Sequence, residues 1–347
     1  MRQSLSAIGC AALLLSTGWL HGQTVGYESL LFELAADARG AALGSNIMAD
    51  LELDAHAAAA NPCFLDSAQQ GLVTIDYVNY YAGIGIATTN YQLPKKQHWH
   101  RQVGARFMNL GTFQGFDASG GATSDFWGGD QLIYYGTSRT LDSTWKVGFQ
   151  PFVGSRHLDR EVAVWAGVEG FVHAHWPERH TALGLAVTGW GNQWGWKGAQ
   201  PTGRLPMNLQ IAWTQGFKNA PFRLFLKSQH LEQWDLAPKG TYDDTTDPIT
   251  GEVVSNSTFV FGDQLMRHVV LGISVQAGEN MAFWTGFDYR RRVEMMATDR
   301  LSANGLSIGT NFSFGQFDFR IARTRYHFAG ANTHIGIRFN PRSFSGT

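Results

Sequence analysis

The sequence predicts an all-β fold: a transmembrane antiparallel β-barrel of about fourteen strands with a small helical N-terminal segment. Three observations predict it. Apolar and polar residues alternate with a period of two in run after run, most runs approach the ten or so residues that a tilted strand needs to cross a bilayer, and the connections alternate short with long. The run from Leu205 to Phe217 shows the first of these. Leu205, Met207, Leu209, Ile211, Trp213 and Phe217 fall on one side, and Pro206, Asn208, Gln210, Ala212, Thr214 and Gly216 on the other.

Residues 1–22 read as an export signal: Arg2 gives the positive start, Ile8 to Leu15 an apolar run too short to span a membrane as a helix, and Gly18 to Gly22 the end before cleavage near Gln23. Cys10 sits in a faint lipoprotein-like context, but the apolar run continues past it. Removal of the signal leaves Cys63 as the single cysteine, so no internal disulfide is possible.

Residues 23–70 form the next unit, packed in or under the barrel. Leu30, Leu31, Leu34 and Ala38 stand at helical spacing, and Ala41-Ala42-Leu43-Gly44 closes that piece. Asp54 is placed to cap a short helix over Ala55 to Ala60, ended by Asn61-Pro62. The small side chains allow close packing against other backbone.

Residues 71–347 are the barrel. Alternation and turn chemistry place strands approximately at 72–79, 82–93, 101–110, 129–139, 145–155, 161–173, 181–190, 205–217, 222–231, 266–277, 281–291, 305–314, 317–328 and 332–339. In the clearest, Val269, Leu271, Ile273 and Val275 oppose His268, Gly272, Ser274 and Gln276. Every other connection is short, such as Lys218 to Pro221 and Gly315-Gln316, while those between include Gly111 to Gly128, Glu232 to Leu265 and Arg292 to Asn304. Short periplasmic turns and long outer loops are the pattern of an outer-membrane barrel, and an even strand number returns both ends of the chain to one side. Open sheet edges cannot face lipid, so the sheet must close.

Composition agrees. Charged residues are 16%, against roughly 25% in typical soluble proteins, while 40 Gly and 45 aromatic residues suit tight turns and aromatic belts. Lys plus Arg (27) balances Asp plus Glu (28), which excludes a global nucleic-acid signature.

Candidate chemistry is sparse. His173, His175 and His180, and His98 with His100, fall near short turns as rim residues, short of the three or four convergent ligands a metal needs. The loop from Glu232 to Leu265 holds seven acids (Glu232, Asp235, Asp243, Asp244, Asp247, Glu252, Asp263) against Lys239, a net of -6, and reads as a solvated acidic loop, the sharper alternative being a docking surface for a basic partner or a divalent-ion site. Arg290-Arg291-Arg292 ends a strand at the outer rim, where snorkelling is expected. His327 and His334, with Ser or Thr on neighbouring strands, are a conceivable hydrolase pair, yet no Gly-x-Ser-x-Gly elbow accompanies them. The chain therefore reads as no enzyme, with no cofactor and no metal.

Asp37-Ala38-Arg39-Gly40-Ala41-Ala42-Leu43-Gly44 followed by Asn61-Pro62-Cys63-Phe64-Leu65 resembles the opening of the FadL-like barrels of the type IX secretion system. The resemblance is greatest to their PorQ family. It continues through Tyr77 to Gly83, Ala220-Pro221-Phe222-Arg223, Trp234-Asp235-Leu236, Arg267-His268, Tyr289-Arg290-Arg291 and Tyr326 to His334, and so covers essentially the whole mature chain. Cys63, Asp37 and Ser45 depart from the family pattern at small-residue positions, and the loop from Asp243 to Gly262 is longer than the family leads one to expect.

The resemblance implies an outer-membrane barrel that holds the surface protein PorZ. It would thereby serve the attachment complex of PorU, PorV and PorZ, which processes cargo and attaches it to anionic lipopolysaccharide. Partner contacts would then fall on the outer loops, at Trp234, Asp235, Asp243, Asp244, Asp247, Arg290 and Arg291. The alternative expectation is a FadL-like channel for hydrophobic small molecules, which needs an apolar lumen, whereas Asn208, Gln210, Gln276, Asn311 and Ser313 make the predicted lumen side polar.

Overall fold

The computed structural model describes residues 29–197, 202–246, 253–254, 258–295, 303–327 and 330–341; the export signal, Asp247 and Glu252 lie outside them. Fourteen strands build the wall: β1 (Val73–Asn79), β2 (Gly85–Lys96), β3 (Trp99–Phe113), β4 (Phe126–Thr140), β5 (Trp145–Leu158), β6 (Glu161–Trp176), β7 (Thr181–Lys197), β8 (Asn208–Phe217), β9 (Ala220–Ser228), β10 (Val269–Gln276), β11 (Met281–Asp288), β12 (Leu306–Phe314), β13 (Phe317–His327) and β14 (Gly330–Phe339). Each pairs antiparallel with its neighbours in sequence, and β1 pairs with β14 from Val73↔Phe339 to Asn79↔Thr333, so the sheet closes on itself. Among the described residues no helix is long and apolar enough to cross a membrane; the crossing elements are strands.

The side chains point the opposite way from those of a soluble barrel. Ile133, Val153, Ile321 and Ile335 stand outward at 55, 58, 50 and 53% exposure, while Thr88, Asn90, Gln102, Ser138, Asp318 and Arg320 point inward and are buried. In water, each such half-exposed apolar side chain forgoes about 1 kcal/mol of burial, roughly half the value for a whole side chain, a deficit that vanishes in hydrocarbon. A closed antiparallel sheet with an apolar outer belt is the architecture of outer-membrane proteins.

Three predicted elements come out differently. β8 begins at Asn208, and Leu205 points into the interior at 7% exposure rather than joining the outer belt. The run predicted to begin at 266 is preceded by a helix, α3 (Val260–Arg267), and β10 starts only at Val269. β11 stops at Asp288, whose side chain accepts from the Arg291 backbone N–H at 3.2 Å and so caps α4 (Tyr289–Glu294). The arginine triplet is therefore helical, which is how Arg290 and Arg291 reach different partners.

Residues 29–70 fill the lumen as a plug. The helical piece expected from Leu30 to Gly44 is two short helices, α1 (Leu30–Glu33), capped by Ser29, and α2 (Ala38–Ala42), capped by Asp37, and the helix expected over Ala55 to Ala60 is a single tight turn at Ala57–Ala59. Asp54 accepts from the His56 N–H at 3.0 Å, and Asn61 caps the turn Pro62–Phe64. The plug starts in the outer half, where Ser29 donates to Asp130, and ends near the short turns, where Lys146 donates to the Leu65 carbonyl. Close approach needs small wall residues. A Cβ on Gly286 would lie 2.3 Å from the Leu43 carbonyl carbon, and one on Gly184 would lie 2.1 Å from the Met48 oxygen.

Candidate functional site

The inner wall is polar for a reason that composition does not reveal: it binds backbone. Short plug helices leave carbonyl groups without intrahelical partners, and burial without replacement would cost about 1–3 kcal/mol each. Wall side chains supply the donors. Arg106 donates to the carbonyls of Leu31 and, at 3.0 Å, Leu34. Gln150 Nε2 reaches Ala59 at 3.1 Å, Thr214 Oγ1 reaches Ala49 at 2.8 Å, and Ser307 Oγ reaches Ala42 at 2.9 Å.

Charges tie plug to wall across the middle of the lumen. Arg39 Nη1 lies 2.7 Å from Asp50 and 3.1 Å from Asp54, and Arg320 on β13 lies 2.8 Å from Asp54 and is also paired with Asp318. His56 Nδ1 is 2.7 Å from Asp76 on β1. Both guanidinium groups sit 5.9 Å from the Trp284 ring centroid. Burial raises the Asp54 carboxyl, but Arg320 and Arg39 outweigh it and hold the group well below the usual carboxylate range. Asp50 goes the other way, because burial there exceeds the pull of Arg39 and Arg223. Asp37 is pushed up to about 6, by burial first and then by the charges of Asp76 and Asp54.

Towards the outer end an apolar cluster lies in the lumen beside Arg106 and the buried Arg156–Asp130 pair at 2.7 Å. Leu31 and Leu34 pack with Met108, Tyr134, Phe152 and Trp165, and Phe32 stands 5.6 Å from the Phe152 ring and 6.0 Å from Trp165. The polar lumen side expected from residues such as Asn208, Gln210 and Asn311 is thus joined, towards the outer end, by an apolar cluster.

Beyond this cluster, α3 and α4 and the chain around Trp234 make a platform. Asp263 on α3 accepts from Arg267 Nε, the Tyr242 hydroxyl and the Tyr289 hydroxyl, each at 2.7 Å. Burial opposes the charge, but these three donors hold the Asp263 carboxyl below its ordinary value. It is therefore a structural knot rather than part of a solvated acidic loop. Arg267 also lies 3.4 Å from Glu294, which pairs with Arg290 at 3.0 Å. Arg291 pairs with Asp288 at 3.2 Å and stacks 3.8 Å from the Tyr326 ring centroid. Trp234 stacks on His268 at 5.4 Å, and His268 touches the carbonyls of Gln229 (2.7 Å) and Trp234 (3.1 Å).

Of the outer-loop residues predicted to meet a partner, Trp234, Asp235, Asp243 and Asp244 are exposed, whereas Arg290 and Arg291 are half-buried and engaged in the platform. The sequence reading missed Phe259, Val260, Phe261 and Leu265, exposed on or beside α3. An apolar run with Leu265 at helical spacing inside an otherwise polar loop is the signal that could have found them.

The histidines also move from their expected place. His173 is buried, with Nε2 3.0 Å from the Asp50 carbonyl, and His100 is buried as well, so neither is a plain rim residue. His334 Nε2 meets Thr324 Oγ1 at 3.2 Å, but its Nδ1, where an orienting carboxylate would sit, has no hydrogen-bond partner among the described residues. Among the described residues no group of three or more His, Cys, Asp or Glu is placed to hold a metal ion.

The chain matches no protein-family model and no curated protein. Among solved structures it is similar to the Pseudomonas putida toluene transporter TodX, at 11% identity and a TM-score of 0.48 over 88% of this chain and 96% of that one. It is similar to the Ralstonia pickettii toluene transporter TbuX at 12% identity and 0.46, over 88% and 98%. A Pseudomonas aeruginosa FadL homologue gives 9% and 0.45, over 88% and 98%.

Proposed function

We propose that this chain is a non-enzymatic outer-membrane barrel of the PorQ type. It anchors a PorZ-like surface protein and, through it, the PorU, PorV and PorZ complex that attaches cargo to anionic lipopolysaccharide. One observation carries the reading. The scattered motifs behind the resemblance, Trp234, Arg267-His268, Tyr289 to Arg291 and Tyr326, converge as mutually stacked and paired side chains at the outer end. A platform knotted this way is preorganised, which lowers the ordering cost of holding a partner. Shortening the loop between Leu236 and Phe259 should release a PorZ-like protein from the purified barrel while the barrel stays heat-modifiable on gels; undiminished co-purification would count against anchoring.

A channel for hydrophobic small molecules is the second reading, and the apolar cluster of Met108, Tyr134, Phe152 and Trp165 in the outer half of the lumen favours it. The β4–β5 ladder is also interrupted between Tyr134↔Phe152 and Thr137↔Phe149, beside Pro151, which has no N–H to give. The solved structures named above include toluene transporters. Toluene or fatty-acid uptake into proteoliposomes, unaffected by the loop deletion, would favour the channel over the anchor.

A further inference from the structure

Five large apolar side chains crowd the platform's exposed side: Trp234, Phe259, Val260, Phe261 and Leu265, at 52, 73, 45, 58 and 44% exposure. Trp234 lies 5.5 Å from the Phe261 ring and Phe261 lies 6.2 Å from Phe259, so the rings form one continuous ridge. The opposite side of α3 is fixed, with Gln264 and Arg267 buried and Asp263 held by three donors. Contiguous exposed aromatics on a rigid support mark an interaction surface.

Resting on the anchoring reading, we propose that this ridge is the contact surface, and that its occupant is a protein presenting an apolar pocket ringed by Lys and Arg side chains. The charge of the surroundings selects that occupant. Asp235, Asp243 and Asp244 are exposed near the ridge, while Asp263 is paired with Arg267 and Glu232 is held by the Leu209 N–H, so the three exposed carboxylates set the sign of the surroundings. An anionic lipid surface would be repelled by these acids, whereas a basic rim is attracted to them and steered to the ridge.

A photo-cross-linking residue placed at Phe261 of the full-length barrel in its native membrane tests the assignment, alongside recovery of the PorZ-like protein by the Phe259→Ser/Phe261→Ser barrel. Heat modifiability reports that the variants are folded. The expected results are a cross-link to a surface protein, a fall in recovery of about ten-fold or more in the double variant, and a flatter salt dependence in Asp243→Asn/Asp244→Asn. A cross-link to lipopolysaccharide alone would overturn the proposal by assigning the ridge to the membrane surface. Full recovery by the double variant together with loss on loop shortening would overturn the ridge and leave anchoring standing. A cross-link to a basic-rimmed protein other than the PorZ-like one would keep the ridge and remove the named anchoring role.

Discussion

Arg320 on β13 and Asp54 in the plug meet at 2.8 Å although 266 residues separate them in sequence. The pair fastens the second-last strand to the segment that precedes the first, so barrel closure and lumen filling are coupled. Arg39 binds the same carboxylate from the plug side at 3.1 Å, which leaves Asp54 between two guanidinium groups.

Replacing Arg320 with Met should loosen the plug without opening the wall. The change leaves Asp54 with Arg39 alone and Asp318 without a guanidinium partner, and breaking a buried pair costs about 3–5 kcal/mol. Limited proteolysis of the refolded variant should therefore cut within residues 29–70 while the barrel stays heat-modifiable. Cleavage no faster than in the wild type would show that the pair contributes little.

Acidity should act on the plug with two signs. Asp37 has a folded value of about 6, above the roughly 3.9 of a free Asp, so its favourable contribution is complete below the free value and is lost as pH rises through 6. Asp54 is depressed instead, so its contribution is present above about 3.9 and is lost as pH falls toward its folded value. Protease protection should rise from pH 7 to 5 and fall below 4. Asp37→Asn, which keeps the capping oxygen, should flatten the upper limb alone; an unchanged profile would remove Asp37 as its cause.

Gly184→Leu should displace the plug at Met48, since even a Cβ there comes within 2.1 Å of the Met48 oxygen. Ion conductance in planar bilayers is the readout. The wild type should be silent and the variant should conduct; equal conductance would mean that this contact does not seal the lumen.

Ile133→Arg puts a charge on the outward face near the middle of β4 and should cost about 2–4 kcal/mol when the protein is refolded from urea into vesicles. A change below about 0.5 kcal/mol, the size expected at an ordinary water-exposed site, would indicate that this face does not see hydrocarbon.

The barrel was legible because its solvent imposes a simple rule. Alternation such as Leu271, Ile273 and Val275 against Gly272 and Ser274 repeats in strand after strand, and the structure places the first set outward. Leu205 escaped the rule because the ladder with β7 lapses between Arg204 and Asn208, opposite Gly189 at φ +67°, so parity is not carried across the gap. The plug-binding site was not legible. Gln150 and Thr214 look like any lumen residue until the Ala59 and Ala49 carbonyls they satisfy are brought to them from roughly a hundred positions away or more. Arg290 and Arg291 misled for a local reason: the Asp288 cap turns the chain into a helix at the point where the strand pattern could still be continued.

The most direct test of a lipid-bounded wall around a filled lumen is thiol reactivity in reconstituted vesicles, with single cysteines placed at inward Ser138, Thr214 and Thr324 and at outward Ile133, Val153 and Ile335. Cys63 is fully buried, so the wild type serves as the blank. The account predicts that the inward thiols resist both a water-soluble and a membrane-soluble reagent, while the outward thiols react with the membrane-soluble one only. Rapid labelling of the inward set by the water-soluble reagent would contradict the filled lumen, and its labelling of the outward set would contradict the hydrocarbon surround.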